Sequence, residues 1–253
     1  MDRTSLTGIF LSIVAVIGGN YLEGGKISSI LQPTAALIVF GGTLGATLLS
    51  SSTRDVIHAV MSIRDIFFEK KLDSEKFIAD IMRFADLARK NGLIALEREI
   101  PRIEDPFFKK VMMLAVDRMA AKTLKETVDQ ENATYEDEKR RVAKIFDTAG
   151  GIAPTIGILG AVLGLIQVME NLSEPSRLGS GIAVAFVATV YGVGTANLLL
   201  IPISKKLLHR LNDEMALREM ILEGVVGIQA GMNPHYLRER LRGFIEEQNR
   251  QGR

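Results

Sequence analysis

The stretch "TAGGIAPTIGILGAVLGLIQVM", residues 148–169, runs between Asp147 and Glu170 without an ionisable side chain. It contains five glycines, three alanines and one proline among leucine, isoleucine and valine. It is too apolar for a surface helix and too rich in glycine for an ordinary core helix. At 22 residues it meets the requirement of roughly 20 mainly apolar residues for crossing a bilayer core. Three further stretches carry no Asp, Glu, Lys or Arg: residues 4–22, 27–53 and 178–204, which are 19, 27 and 27 residues long. Four such runs in one chain predict transmembrane helices at 4–22, 31–52, 148–169 and 178–203. Residues 4–22 have neither a basic leader of useful size nor a convincing cleavage site, so this run is expected to be a retained span.

Charge is sorted along the chain rather than scarce in it. Of 253 residues, 47% are hydrophobic and 24% charged, with a net charge of +1; the mean hydropathy is +0.18. Residues 54–147 hold 19 Lys/Arg and 19 Asp/Glu, and residues 205–253 hold nine and seven. The connections at 23–26 and 170–177 hold one basic residue each. Because cytoplasmic loops retain Lys and Arg, both termini, the 54–147 region and the 204–253 tail are expected on the cytoplasmic side. The expected fold class is therefore an all-α integral membrane protein. It would have four spans, a large helical cytoplasmic loop and a cytoplasmic tail.

The cytoplasmic stretches read as helical. In "SEKFIADIMRFADLARKNG" (74–92), Phe77, Ile81, Phe84, Ala85 and Ala88 share a face, and Asn91–Gly92 supplies a stop. Asp105 is placed as the N-cap of a new helix with Pro106 in its first position. "LKETVDQENATYEDEKRRVAKIF" (124–146) favours one long helix running into the third span. The tail reads as a helix over 204–228, a turn at Gly231-Met232-Asn233-Pro234 and a short basic helix.

Catalytic signatures are missing. His58, His209 and His235 are scattered without metal-ligand spacing, and cysteine is absent. "GGKISS" (24–29) fails as a phosphate loop, since Ile27 follows the lysine. "GVGTAN" (192–197) lacks the last glycine of a dinucleotide fingerprint and falls in a span. No basic tract with interleaved aromatics calls for nucleic acid. The expectation is a protein that is not an enzyme and needs no cofactor.

The spans themselves carry the signals. Gly41/Gly45 and Gly160/Gly164 are GxxxG pairs, and Gly157/Ala161 and Ala185/Thr189 have the same spacing. Such faces serve either packing inside one chain or contact with other subunits and a partner helix; the residues alone leave both open. Pro154 and Pro202 each stand near the inner end of a span, either as tolerated prolines or as a paired hinge. Counted from the inner ends, Thr189 and Ala161 differ in depth by only about 3 Å at about 1.5 Å per residue. Thr189 either bonds the carbonyl one turn back or faces a transport route. If ions pass, the carboxylate of a proton relay must come from another chain.

"GGIAPTIGILGAVLGLIQVM" (150–169), "GSGIAVAFVATVYGVGTANLLLIPISKKL" (179–207) and "EGVVGIQAGMNP" (223–234) together resemble the MotA family, the flagellar stator A subunit. "ADLARKNGLIALERE" (85–99) is similar to its cytoplasmic loop signature, and the glycine pair in "LIVFGGTLGATL" (37–48) fits its second span. The resemblance spans essentially the whole chain. The more distant ExbB/TolQ relatives have three spans and fit less well.

The resemblance implies a ring of five such subunits around two copies of a MotB-like partner. That partner has one transmembrane helix bearing an ion-binding aspartate, and a peptidoglycan-binding domain. It implies torque on the rotor protein FliG through Arg89 and Glu97, with Lys90, Arg98 and Glu99 as auxiliaries. Pro154 and Pro202 become coupling prolines, and Thr189 a residue facing the ion path. Ala161 stands where sodium-driven members typically carry threonine, and Gln32 where some carry aspartate. Both favour protons, since a methyl offers no oxygen to a dehydrated sodium ion. Two other readings stay open: a sodium-driven stator or ExbB-like energiser, and a structural membrane scaffold without a coupled ion.

Overall fold

The computed structural model describes residues 3–67 and 73–251; the parts of the 54–147 and 204–253 regions at 68–72 and 252–253 lie outside it. Among the described residues every regular element is helical. The chain divides into two compact units: residues 1–69 with 139–208, and residues 70–138 with 209–253.

In the first unit, α1 (Arg3–Leu22) carries no charge after Arg3. Gly24, at φ 83°, turns the chain behind it. A single helical turn, α2 (Ile27–Ile30), precedes α3, which runs over Pro33–Leu49. This departs from the uninterrupted helix expected over 31–52. Proline at 33 drives the preceding residue into extended backbone, and Gln32 lies at φ −121°, ψ 99°. At the other end the Ser50 hydroxyl and the Ser50 and Ser51 N–H groups donate to nearby carbonyls and let the helix stop, while the Ser52 carbonyl accepts from the Val56 N–H. Inside α3, Leu37–Gly41 forms a π turn.

α4 (Thr53–Phe67) follows. It buries Ala59 against Val142, Phe146, Leu200, Ile203 and Leu207, and Asp55 meets Arg141 at 3.7 Å. α7 (Ala121–Glu170) is one helix of 50 residues that continues through Pro154 without interruption. α8 (Pro175–Thr195) passes through a π turn at Ala196–Leu200 directly into α9 (Ile201–Gln229). The tail helix expected to begin at 204 is thus continuous with the fourth apolar run. The π turn lies just before Pro202, whose ring and missing N–H disturb the preceding turn of the ladder. Pro154, by contrast, is absorbed with no change of helix type.

Among the described residues, three helices are long and apolar enough to cross a membrane: Thr4–Leu22, Ala121–Glu170 and Leu178–Gln229. Pro33–Leu49 is a shorter apolar helix.

The second unit packs one apolar core. α5 (Ser74–Asn91) contributes Ile78, Ile81, Met82, Phe84 and Ala85, so the periodicity located the buried face. α6 (Pro106–Val116) adds Phe108, Val111 and Met112, and the Asp105 carboxylate accepts from the Phe108 N–H at 2.8 Å as the expected cap. Leu124 and Val128 of α7, Met220, Ile221 and Val225 of α9, and Leu237 and Leu241 of α10 (Pro234–Gln251) complete it. Phe108 meets Phe84 edge to face at 5.7 Å. Residues 54–67 and 139–147, expected with the cytoplasmic loop, belong instead with the first unit, because Val142 and Phe146 bury there.

Candidate functional site

The third and fourth apolar runs lie antiparallel in close contact, and glycine is the reason. A Cβ built on Gly157 would stand 2.9 Å from the Ala188 carbonyl oxygen and 3.2 Å from Gly192 Cα. On Gly164 it would stand 2.7 Å from the Ala185 nitrogen, and on Gly160 2.8 Å from the Ala188 Cβ and 3.3 Å from Ile38 of α3. Gly157, Gly160 and Gly164 therefore serve packing within this chain, which decides the alternative left open by their spacing. The Gly41/Gly45 pair behaves differently: Gly45 meets nothing within 4 Å and Gly41 only its own helix's Leu37.

This register sets the depth of the candidate ion-path residues. Gly157 lies opposite Ala188 to Gly192, and Gly164 opposite Gly181 and Ala185. Thr189 and Ala161 are consequently about 5 Å apart in depth at about 1.5 Å per residue. Both are half-buried. The Thr189 hydroxyl donates to the Ala185 carbonyl, one turn back, at 3.3 Å, so the local reading of this threonine holds in the structure. Pro154 is half-buried near Gly192, and Pro202 is exposed just past the π turn. The outer faces of both runs are apolar, with Phe186 71% exposed.

One residue at this place went unread in the sequence. Tyr191, two positions beyond Thr189, donates its hydroxyl to the Ile30 carbonyl at 2.6 Å and accepts from the Gln32 N–H at 3.3 Å. Its ring stacks on Phe40 at 5.6 Å. The available signal was a lone tyrosine inside a run of 27 uncharged residues.

The charged strip lies in the second unit. Arg89 and Lys90 occupy the last turn of α5, which Gly92 closes at φ 80°. Leu93–Arg98 then form a 3₁₀ helix. At three residues per turn, Leu93 and Leu96 share the inner side while Ile94 and Glu97 share another; Leu96 is fully buried and Ile94 is 57% exposed. Arg89, Lys90, Glu97 and Arg98 are exposed and hold no ion pair among the described residues. Glu99 differs, for it accepts from Arg102 at 2.8 Å. It is therefore bound into the local fold rather than presented beside the other four.

The same unit contains a polar cluster that spacing did not reveal. The Arg218 guanidinium lies over the Tyr135 ring at 3.7 Å and the Phe107 ring at 4.6 Å. It also donates to the Asn132 side-chain Oδ1 at 3.4 Å and lies 3.6 Å from the Glu214 carboxylate. Tyr135 donates to Glu214 at 2.8 Å. Burial, together with this carboxylate, holds the Tyr135 phenol well above its ordinary pKa. Among the described residues no group of three or more His, Asp and Glu could hold a metal ion.

Residues 6–92 match the description "Motility protein A N-terminal", and residues 99–220 match "MotA/TolQ/ExbB proton channel family". Motility protein A of Bacillus subtilis is 36% identical over 251 residues, covering 99% of this chain and 93% of that protein. Chemotaxis protein PomA of Vibrio alginolyticus is 31% identical, covering 99% and 98%. Among solved structures, C. jejuni MotAB superposes with a TM-score of 0.92 at 31% identity, covering 96% of each chain. The flagellar MotAB stator complex from Bacillus subtilis gives 0.89 at 36%, with the same coverage. With likeness over nearly its whole length to these stator proteins, the chain belongs to the MotA/TolQ/ExbB proton channel family, as a flagellar stator subunit of its motility protein A branch.

Proposed function

We propose that this chain is the proton-driven A subunit of a flagellar stator in the bacterial inner membrane. It crosses the membrane four times, at 4–22, 31–52, 148–169 and 178–203, with both termini and the 54–147 region in the cytoplasm. The segregation of Lys and Arg supports that orientation. Five copies surround two copies of a MotB-like, single-span, peptidoglycan-binding partner; the similarity to MotAB complexes supports such a partner.

The observation that carries the mechanism is the glycine-packed pair of α7 and α8. It offers an apolar, uncharged face with Ala161 and Thr189 at similar depth. A face without an acid can lie against a partner's carboxylate and leave the protonation step to it. Pro154 and Pro202 take part in coupling; the π turn beside Pro202 supports a compliant point there. Ala161 favours protons because it brings no oxygen to a sodium ion. The exposed charges of Arg89 and Glu97, with Lys90 and Arg98 beside them, meet FliG by charge steering. Glu99 acts by holding Arg102 and shaping the strip.

Swimming speed tests the ion. A protonophore is expected to stop cells in sodium-containing medium, while removing sodium leaves speed unchanged. Continued swimming with the proton gradient collapsed and sodium present would overturn the proton assignment.

A further inference from the structure

Tyr191 stands where the second apolar run of this chain breaks its backbone ladder. α2 ends at Ile30, Leu31 and Gln32 are extended, and Pro33 opens α3 without an N–H to give. The Gln32 carbonyl is used by the Ala36 N–H at 3.0 Å. The Ile30 carbonyl and the Gln32 N–H, stripped of helical partners, are both taken by the Tyr191 hydroxyl, at 2.6 and 3.3 Å. In apolar surroundings such backbone groups must find partners, and non-helical backbone persists there only where protein or water serves it. One side chain on α8 serves both groups. Its ring is held by Phe40, and the helices behind it are locked through Ala35, Val39, Val184, Val187 and Ala188.

We propose that Tyr191 is a positioning residue that latches the interruption at Leu31–Gln32 to the fourth span, and so ties the outer opening of the second span to the helix that carries Thr189. The proposal rests on the reading of α3 and α8 as membrane spans. Thr189 and Tyr191 ride on the same helix, two residues apart. A turn of α8 that re-aims Thr189 therefore pulls the hydroxyl from its two backbone partners and frees the interruption to water. Ion occupancy at the Thr189 level would thus be read at the second span through a hydrogen bond, not through a charge.

The absence of cysteine makes the test direct. Single cysteines are placed at Leu31, which is 66% exposed, and at Lys26 in the outer connection, in cells carrying the full stator complex. Labelling by a membrane-impermeant maleimide is timed with and without Tyr191→Phe, which keeps the ring and removes the hydroxyl. The Lys26→Cys protein is expected to label equally in both backgrounds. Leu31→Cys is expected to label about tenfold faster with Tyr191→Phe, equivalent to about 1.4 kcal/mol and the scale of one net hydrogen bond. Swimming should slow although the complex accumulates normally. Equal Leu31→Cys rates overturn the latch. No labelling at Lys26→Cys overturns the span reading and the latch with it. Should Tyr191→Phe fail to accumulate, Phe40→Leu loosens the ring and retains the hydroxyl; an unchanged Leu31→Cys rate in it also overturns the proposal.

Discussion

Replacing Gly192 by alanine tests whether backbone contact between the third and fourth runs sets the stability of the membrane part. The new Cβ would lie 2.5 Å from the Ala153 carbonyl oxygen, 3.0 Å from Gly157 Cα and 3.2 Å from Pro154 Cα. All three are backbone atoms, so no rotamer change relieves the clash. Ordinary contact begins at 3.4 Å, so the helices must part by about 0.9 Å. Forcing an extra carbon into a packed interface costs about 1–3 kcal/mol. Alanine returns up to about 1 kcal/mol of helix propensity. The net destabilisation of about 1–2 kcal/mol corresponds to a fall of about 2–8 °C at this chain length. The assay is thermal unfolding of the detergent-purified stator complex, with Gly8→Ala as control, since Gly8 meets nothing within 4 Å. Gly157→Ala should behave like Gly192→Ala, and the double variant should cost less than the sum, because both methyls open the same gap. If Gly192→Ala melts at or above the Gly8→Ala control, close backbone approach is not what holds these helices together.

Three other outcomes follow from the second unit. Arg218→Ala removes two ring contacts, a bond to Asn132 and the ion pair with Glu214; a loss of about 2–3 kcal/mol is expected from such partly desolvated cation–π contacts, read by thermal melting, and Arg218→Lys should recover only part of it. Tyr135, with its phenol pKa raised by burial and by Glu214, supports the fold while both states are protonated; that support drains away as pH climbs above the free phenol's value of about 10. Tyr135→Phe should therefore flatten the alkaline fall of the melting temperature, and a variant that falls as steeply as the parent would refute this. Glu97→Lys, on an exposed site without an ion pair, should shift stability by less than about 0.5 kcal/mol while slowing swimming. A reversed charge on the rotor should restore part of that speed; no rescue by any rotor charge reversal would reduce Glu97 to ordinary surface.

Much of this protein was legible because a bilayer imposes its demands locally. Roughly 20 uncharged apolar residues are a property of a segment, as is the cap made by Asp105 before Pro106. The buried face of α5 followed from a period of 3.6, and the stop at Gly92 from a backbone angle that favours glycine. The GxxxG spacing marked the close-packing faces but could not say which neighbour each would meet. That required coordinates, because the third and fourth runs are separated in sequence and register is a property of the pair. Gly157, Gly160 and Gly164 turned out to face this chain's own helices, while Gly45 faces none of them.

The sequence by itself determined the apolar runs, the helical class and the charge sorting, since each depends on the composition of a short window. Only the tertiary structure decided where the units divide, for Val142 and Phe146 are drawn from the loop by a pocket around Ala59. It alone placed Arg218 between two rings from different helices. It also gave Tyr191 its meaning: a hydroxyl with nothing to do along its own helix satisfies two backbone groups some 160 residues away in the chain. Periodicity and spacing report which face a residue is on. They do not report which broken hydrogen bond lies across from it.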